Sequence, residues 1–158
     1  MFYGGRLLNH LSADDDEVSD FIKLRQINRN LAILIDSDRS KKGAKMNATK
    51  VRVSREFDKG DGFAWITAGR EIENYIPPEQ ALAILKTIDP HAERLISHDQ
   101  YEPRWHYLRH DSTELRTIDK IKLARCVTNT PANLDILDLR EQARKAAEFI
   151  RACNKLQP

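Results

Sequence analysis

Cysteine is nearly absent from this sequence. The 158-residue chain carries two, Cys126 and Cys153, set 27 positions apart with no ligand-like neighbours. This excludes a disulfide framework and a thiolate zinc site, and both cysteines read as free thiols of a reducing cytosol, Cys126 as a packing residue. Long hydrophobic runs are also missing. No window approaches the ~18 consecutive apolar residues of a membrane span, and mean hydropathy is −0.60. The opening MFYGGRLLNH lacks the apolar core of a secretory signal. An excess of one charge is lacking too. Lys and Arg number 26 against 24 Asp and Glu, a net +2 that by itself does not mark a nucleic-acid binder. Gly4-Gly5 is not followed by the Lys-Ser/Thr of a phosphate-binding loop, so the chain shows no ATPase centre of its own. There is no internal repeat and no low-complexity tract.

What is present suits one globular domain over residues 1–158, with 41% hydrophobic and 32% charged residues. The sharpest pattern is Leu31-Ala32-Ile33-Leu34-Ile35 running straight into Asp36-Ser37-Asp38. Five apolar residues ending in acids predict a strand buried on both faces. Ahead of it, Val18, Phe21, Ile22, Leu24 and Ile27 have helical spacing over Glu17–Asn28, with Ser12 or Asp14–Asp16 as the cap. Helix followed by buried strand is the mark of an α/β sheet, whose working residues gather at the carboxyl ends of its strands.

After a loop at Ser40–Gly43, residues Ala44–Phe57 predict a helix, Lys59–Gly62 a turn and Phe63–Thr67 a second buried strand. Pro77-Pro78 stops the segment after that strand, and Pro78 opens a helix through Lys86. From Ile88 to Thr117 the periodicity fails, and the stretch near 88–118 reads as an irregular insertion with a short helix at most. Asp119–Val127 and Asp138–Lys155 predict helices, the latter with Leu139, Ala143, Ala146, Ala147, Ile150 and Cys153 along one face.

Asp36 and Asp38 form an Asp-x-Asp at a strand end. If the chain stays extended there, both carboxylates point to one side, roughly 6–7 Å apart. Paired hard oxygen ligands suit magnesium, alone or as a two-ion clamp on a phosphodiester. Alone the motif is common in surface turns; after a wholly apolar strand it favours metal. Glu71 and Glu73 follow the second strand and offer further carboxylates, although acids also favour a helix start. Lys120 and Lys122 begin a helix at the end its dipole disfavours, and a lysine in such a place fits a role beside a phosphate. Arg39, Lys41, Lys42, Lys45, Lys50, Arg52 and Arg55 fall within seventeen positions just after Asp38, a stretch suited to a nucleic-acid backbone or to plain solvation. His106 and His110 stand at i, i+4, but nothing nearby completes a zinc shell.

The run Ile33-Leu34-Ile35-Asp36-Ser37-Asp38-Arg39, with Trp65-Ile66-Thr67-Ala68-Gly69-Arg70-Glu71-Ile72-Glu73-Asn74-Tyr75-Ile76, resembles the Toprim domain of OLD-family (overcoming lysogenization defect) nucleases. Asp119-Lys120-Ile121-Lys122-Leu123-Ala124 resembles that family's lysine-bearing helix, and Asp135–Asn154 is similar to its closing helix. The resemblance spans most of the chain and is weakest between Ile88 and Thr117. It implies a Toprim-like (Rossmann-like) α/β fold, a parallel sheet flanked by helices. The activity it implies is divalent-metal-dependent nicking or cleavage of DNA with Mg2+ or Mn2+. By position, Asp36, Asp38 and Glu73 match the family's metal-binding acids, Glu73 better than Glu71, and Lys120 matches the lysine that assists at the phosphate. Arg39, Lys41, Lys42, Lys45 and Arg70 would then meet DNA.

The resemblance further implies an ABC-type ATPase region or subunit as partner, with room for a homo-oligomer, and a part in phage defence. One departure stands out. Met1-Phe2-Tyr3-Gly4-Gly5 resembles the family's second strand, so the first strand and its metal-binding glutamate are expected to be missing, leaving the fold incomplete at its N-terminus. Two other readings stay open: a catalytically incomplete Toprim module that binds nucleic acid or an ATPase, and a doubly wound phosphatase or phosphotransfer domain.

Overall fold

The computed structural model describes residues 30–59, 62–97 and 99–154. The helix expected over Glu17–Asn28, its cap and the strand-like start at Met1–Gly5 lie outside the described residues, as do Gly60 and Asp61 of the expected turn.

Strand β1 (Ala32–Ile35) and strand β2 (Phe63–Ile66) are parallel, in register from Ala32 opposite Phe63 to Ile35 opposite Ile66. Parallel neighbours need a crossover, and helix α1 (Ala48–Asp58) lies within it. The helix begins four residues later than the periodicity suggested because Asn47 caps it, its side chain accepting the Thr49 amide at 2.8 Å. Val53 and Phe57 of α1 pack against Ile35, and Leu31, Ile33, Ala64 and Ile66 close around them. Truncating Phe57, 3% exposed, to alanine would cost about 3–5 kcal/mol.

The expectation that β1 is buried on both faces is corrected. Ile35 is buried and Ile33 partly so, while Ala32 and Leu34 on the opposite face are exposed, Leu34 at 45%. Among the described residues this sheet has two strands, and helix α1 covers one side of it.

A short 3-10 turn (Ile72–Tyr75) follows β2. Helix α2 (Pro78–Ile88) starts with proline in its first turn, where the missing amide costs no hydrogen bond. The segment expected to be an irregular insertion is instead an antiparallel sheet of β3 (Ala92–Leu95), β4 (His106–Arg109) and β5 (Ser112–Thr117). Its alternation is hidden because the register shifts twice, between Ala92 and Arg94 and between Tyr107 and Arg109, and because β5 is exposed along nearly all its length. The described fold is therefore mixed α/β, with a small parallel sheet, an antiparallel sheet and flanking helices, rather than a wholly parallel one.

Helix α3 (Lys120–Val127) is capped by Asp119, whose carboxylate accepts the Ile121 and Lys122 amides at 3.0 and 3.1 Å. Its Leu123 joins Ile84, Leu85, Ala92, Trp105, Tyr107 and Ile118 in the second core, with Cys126 packed against it as expected. Helix α4 (Leu139–Cys153) reaches β2 through Phe149, stacked on Phe63 at 6.0 Å between centroids. Among the described residues no helix is long and apolar enough to cross a membrane.

Candidate metal centre

Because β1 and β2 run in parallel, their carboxyl ends lie at one edge. Asp36 leaves β1 there, and Thr67 to Glu73 leave β2 beside it. Ser37 stitches the two loops together. Its amide donates to Thr67 Oγ1 at 2.8 Å and its hydroxyl to the Gly69 carbonyl at 2.6 Å. The Asp38 amide donates to the Arg70 carbonyl at 2.9 Å. Gly69 must remain without a side chain, since a Cβ there would lie 2.6 Å from Asn74 Cβ and 3.0 Å from the Gln100 carbonyl. Asn74, fully buried, accepts the Glu71 amide at 2.8 Å and donates to the Glu102 carbonyl at 2.9 Å. These bonds fix the loop that carries both glutamates.

The side chains then converge. Asp36 Oδ1 accepts the Ile72 amide at 2.8 Å, at the head of the 3-10 turn. Burial pushes the Asp36 carboxyl up to about 6; the Ile72 amide pulls it down, and the neighbouring charges of Glu73, Glu71 and Asp38 raise it again. Those four acids therefore share one field. Lys120 Nζ stands 3.1 Å from Glu71 Oε2 and 3.3 Å from Glu73 Oε1, and 3.5 Å from the centre of the Trp105 ring. Its place in the first turn of α3, unfavourable to the helix dipole, is offset by these contacts.

The expectation of an extended Asp-x-Asp is corrected. Strand β1 ends at Ile35, and Asp38 takes a left-handed conformation with φ +52°, one that aspartate tolerates better than most residues. This bend goes with the pairing of Asp38 with Lys50. Lys50 Nζ pairs with Asp38 Oδ2 and donates to the Asp36 backbone carbonyl at 2.7 Å.

Lys50 is thus a site residue that sequence reasoning misplaced among the basic stretch. A signal was there: Lys50, Val53, Ser54 and Phe57 fall at i, i+3, i+4 and i+7 on the buried face of α1. The rest of the stretch divides. Lys41, Lys42 and Lys45 are exposed near the loop after Asp38, Arg39 is half-buried, and Arg70 lies 3.4 Å from Glu71. Arg52 and Arg55 line an open groove on the outer side of α1. His106 sits in β4 and His110 in the following turn, stacked on His91 at 5.0 Å, so the helical spacing that would let His106 and His110 share a metal does not arise.

Four carboxylates without thiolate or imidazole are the donor chemistry of Mg2+ or Mn2+, and their mutual repulsion at Asp36 is what a divalent ion relieves. The donors fit in kind. They are not pre-assembled: among the described residues no three His, Cys, Asp or Glu side chains are grouped for a metal ion, Glu71 and Glu73 being held by Lys120 and Asp38 by Lys50. No family model, curated protein or solved structure matches the chain.

Proposed function

We propose that this chain is a Toprim-like, divalent-metal-dependent nuclease domain that cuts or nicks DNA, of the kind that works with an ABC-type ATPase region or subunit in phage defence. The observation that supports this best is the meeting of Asp36, Asp38, Glu71, Glu73 and Lys120 at the carboxyl edge of the parallel strands.

In this reading Asp36, Asp38 and Glu73 would hold Mg2+ or Mn2+, with Glu71 beside them. The ion, when bound, supplies charge for the phosphate oxygens and makes water a better nucleophile. Lys120, if freed from Glu71 and Glu73, would present its ammonium to a phosphate oxygen, held in direction by the Trp105 ring. Arg39, Lys41, Lys42, Lys45 and Arg70 follow the DNA backbone, which makes binding weaken steeply with salt.

A second reading has its own support. Each of these carboxylates already has a protein partner, as in a catalytically incomplete module that binds nucleic acid or an ATPase.

Substrate class separates the readings. With Mn2+ present, the nuclease reading expects hydrolysis of DNA and none of p-nitrophenyl phosphate. Turnover of the monoester alone assigns the site to a phosphatase. Salt-sensitive DNA binding without hydrolysis of either assigns it to a binding module.

A further inference from the structure

Lys50 differs from the other cations near the acid site among the described residues. Its side chain is 1% exposed, against 50% for Lys120. It projects from the packed face of α1, between Thr49, Val53 and Ser54, all buried. Its ammonium binds a carboxylate oxygen of Asp38 and the main-chain carbonyl of Asp36, so two of its three donors meet oxygen atoms of the motif. Carboxylate and carbonyl oxygens converging on one positive centre are also what a hard metal ion selects. Lys120 can swing into solvent; Lys50 has no such route without unpacking α1.

Charge counting points the same way. Asp36, Asp38, Glu71 and Glu73 contribute four negative charges when ionised. Lys50, Lys120 and one divalent ion balance them, whereas a second divalent ion would leave an excess of two positive charges.

We propose that Lys50 is a positioning residue that stands in for one of two metal ions, so that the site takes a single Mg2+ or Mn2+ on its Asp36, Glu71 and Glu73 side. The inference rests on the metal-dependent reading above and changes its ligand set: Asp38 holds the built-in ammonium instead of the ion, and a one-ion site replaces a two-ion clamp.

The test counts bound Mn2+ per chain from the loss of the free-ion paramagnetic resonance signal, for the wild-type chain and for Lys50→Met, with circular dichroism as the check on folding. One ion for wild type and two for Lys50→Met is the expected result. Two ions in wild type, or one in both proteins, overturns the role of Lys50 while leaving a metal site in place. No ion in either overturns the metal-dependent reading itself.

Should Lys50→Met fail to fold, the wild-type count still decides between one ion and two. The 15N signal of the Lys50 ammonium gives a second measurement. Sheltered from exchange by burial, it should persist at saturating Mg2+ and be absent from the spectrum of Lys50→Arg. Its loss on adding Mg2+ to the wild-type chain would mean that the ion displaces the lysine, which contradicts the proposal.

Discussion

Replacing Asp36 by asparagine should stabilise the protein above pH 6, and by an amount the site itself sets. In an unfolded chain Asp36 titrates near 3.8; in the fold, burial and the facing acids hold its carboxyl at about 6. Below pH ~4 both states carry the proton and the burial costs no charge. Between about 4 and 6 the unfolded chain releases its proton while the folded site keeps it, so the stability tied to Asp36 falls as pH rises. Above about 6 the loss is complete. A rise from 3.8 to about 6 corresponds to about 3 kcal/mol, and the partial solvation of the side chain reduces this to about 1–2 kcal/mol.

The asparagine of Asp36→Asn would keep an oxygen for the Ile72 amide, which Asp36 Oδ1 meets at 2.8 Å, and would carry no charge at any pH. The difference between the two proteins isolates Asp36, since the other acids titrate in both. Melting curves in EDTA should coincide near pH 4 and separate by about 2–8 °C at pH 7.5, with the variant higher. Saturating Mg2+ should raise the wild type more than the variant and narrow the gap. A gap that shrinks with rising pH, or a wild type more stable than the variant at pH 7.5 in EDTA, would refute the reasoning.

Asn74→Ala removes the hydrogen bonds to the Glu71 amide and the Glu102 carbonyl, each worth about 0.5–1.5 kcal/mol. Urea unfolding should therefore show a loss of about 1–3 kcal/mol. Gly69→Ala forces a Cβ to within 2.6 Å of Asn74 Cβ; the expected loss is about 1–3 kcal/mol, with weaker Mn2+ binding by calorimetry because the glutamate loop must shift. Lys120→Met should change the melting temperature little, its ammonium being half-exposed, yet lower DNA cleavage about 100-fold. An unchanged cleavage rate in that variant would remove Lys120 from the site.

The parts of the molecule legible in the sequence are those where one local rule decides. The apolar run before Asp36 marked a strand, Pro78 and Asp119 marked helix starts, and two acidic clusters after two strands marked one edge of a sheet. Asp36 and the Glu71–Glu73 loop, 35 or more positions apart in the chain, leave neighbouring parallel strands at one edge, and Lys120 pairs with both glutamates there.

What stayed hidden depended on tertiary context. Lys50 sat in a run of solvated lysines and only its helical phase marked it as buried. The bend at Asp38, with φ +52°, has no signature in a residue that also suits extended chain. The sheet over Ala92–Thr117 was masked by two register shifts that break the period of two. Tyr75 has no signal in the sequence beyond its motif, yet its hydroxyl donates to Asp138 at 2.5 Å and accepts from Trp65 at 3.2 Å and from the Ala68 amide at 3.0 Å. It thereby ties the start of α4 to the site loop, a link that only the folded chain makes.

Nicking of supercoiled plasmid by the purified chain with Mg2+ or Mn2+, beside Asp36→Ala and an EDTA control, tests the central claim most directly. The account expects open-circular or linear product with wild type and metal, and none with EDTA or with the variant. Equal cleavage by wild type and Asp36→Ala, or none by a wild-type chain that binds Mn2+, would contradict it.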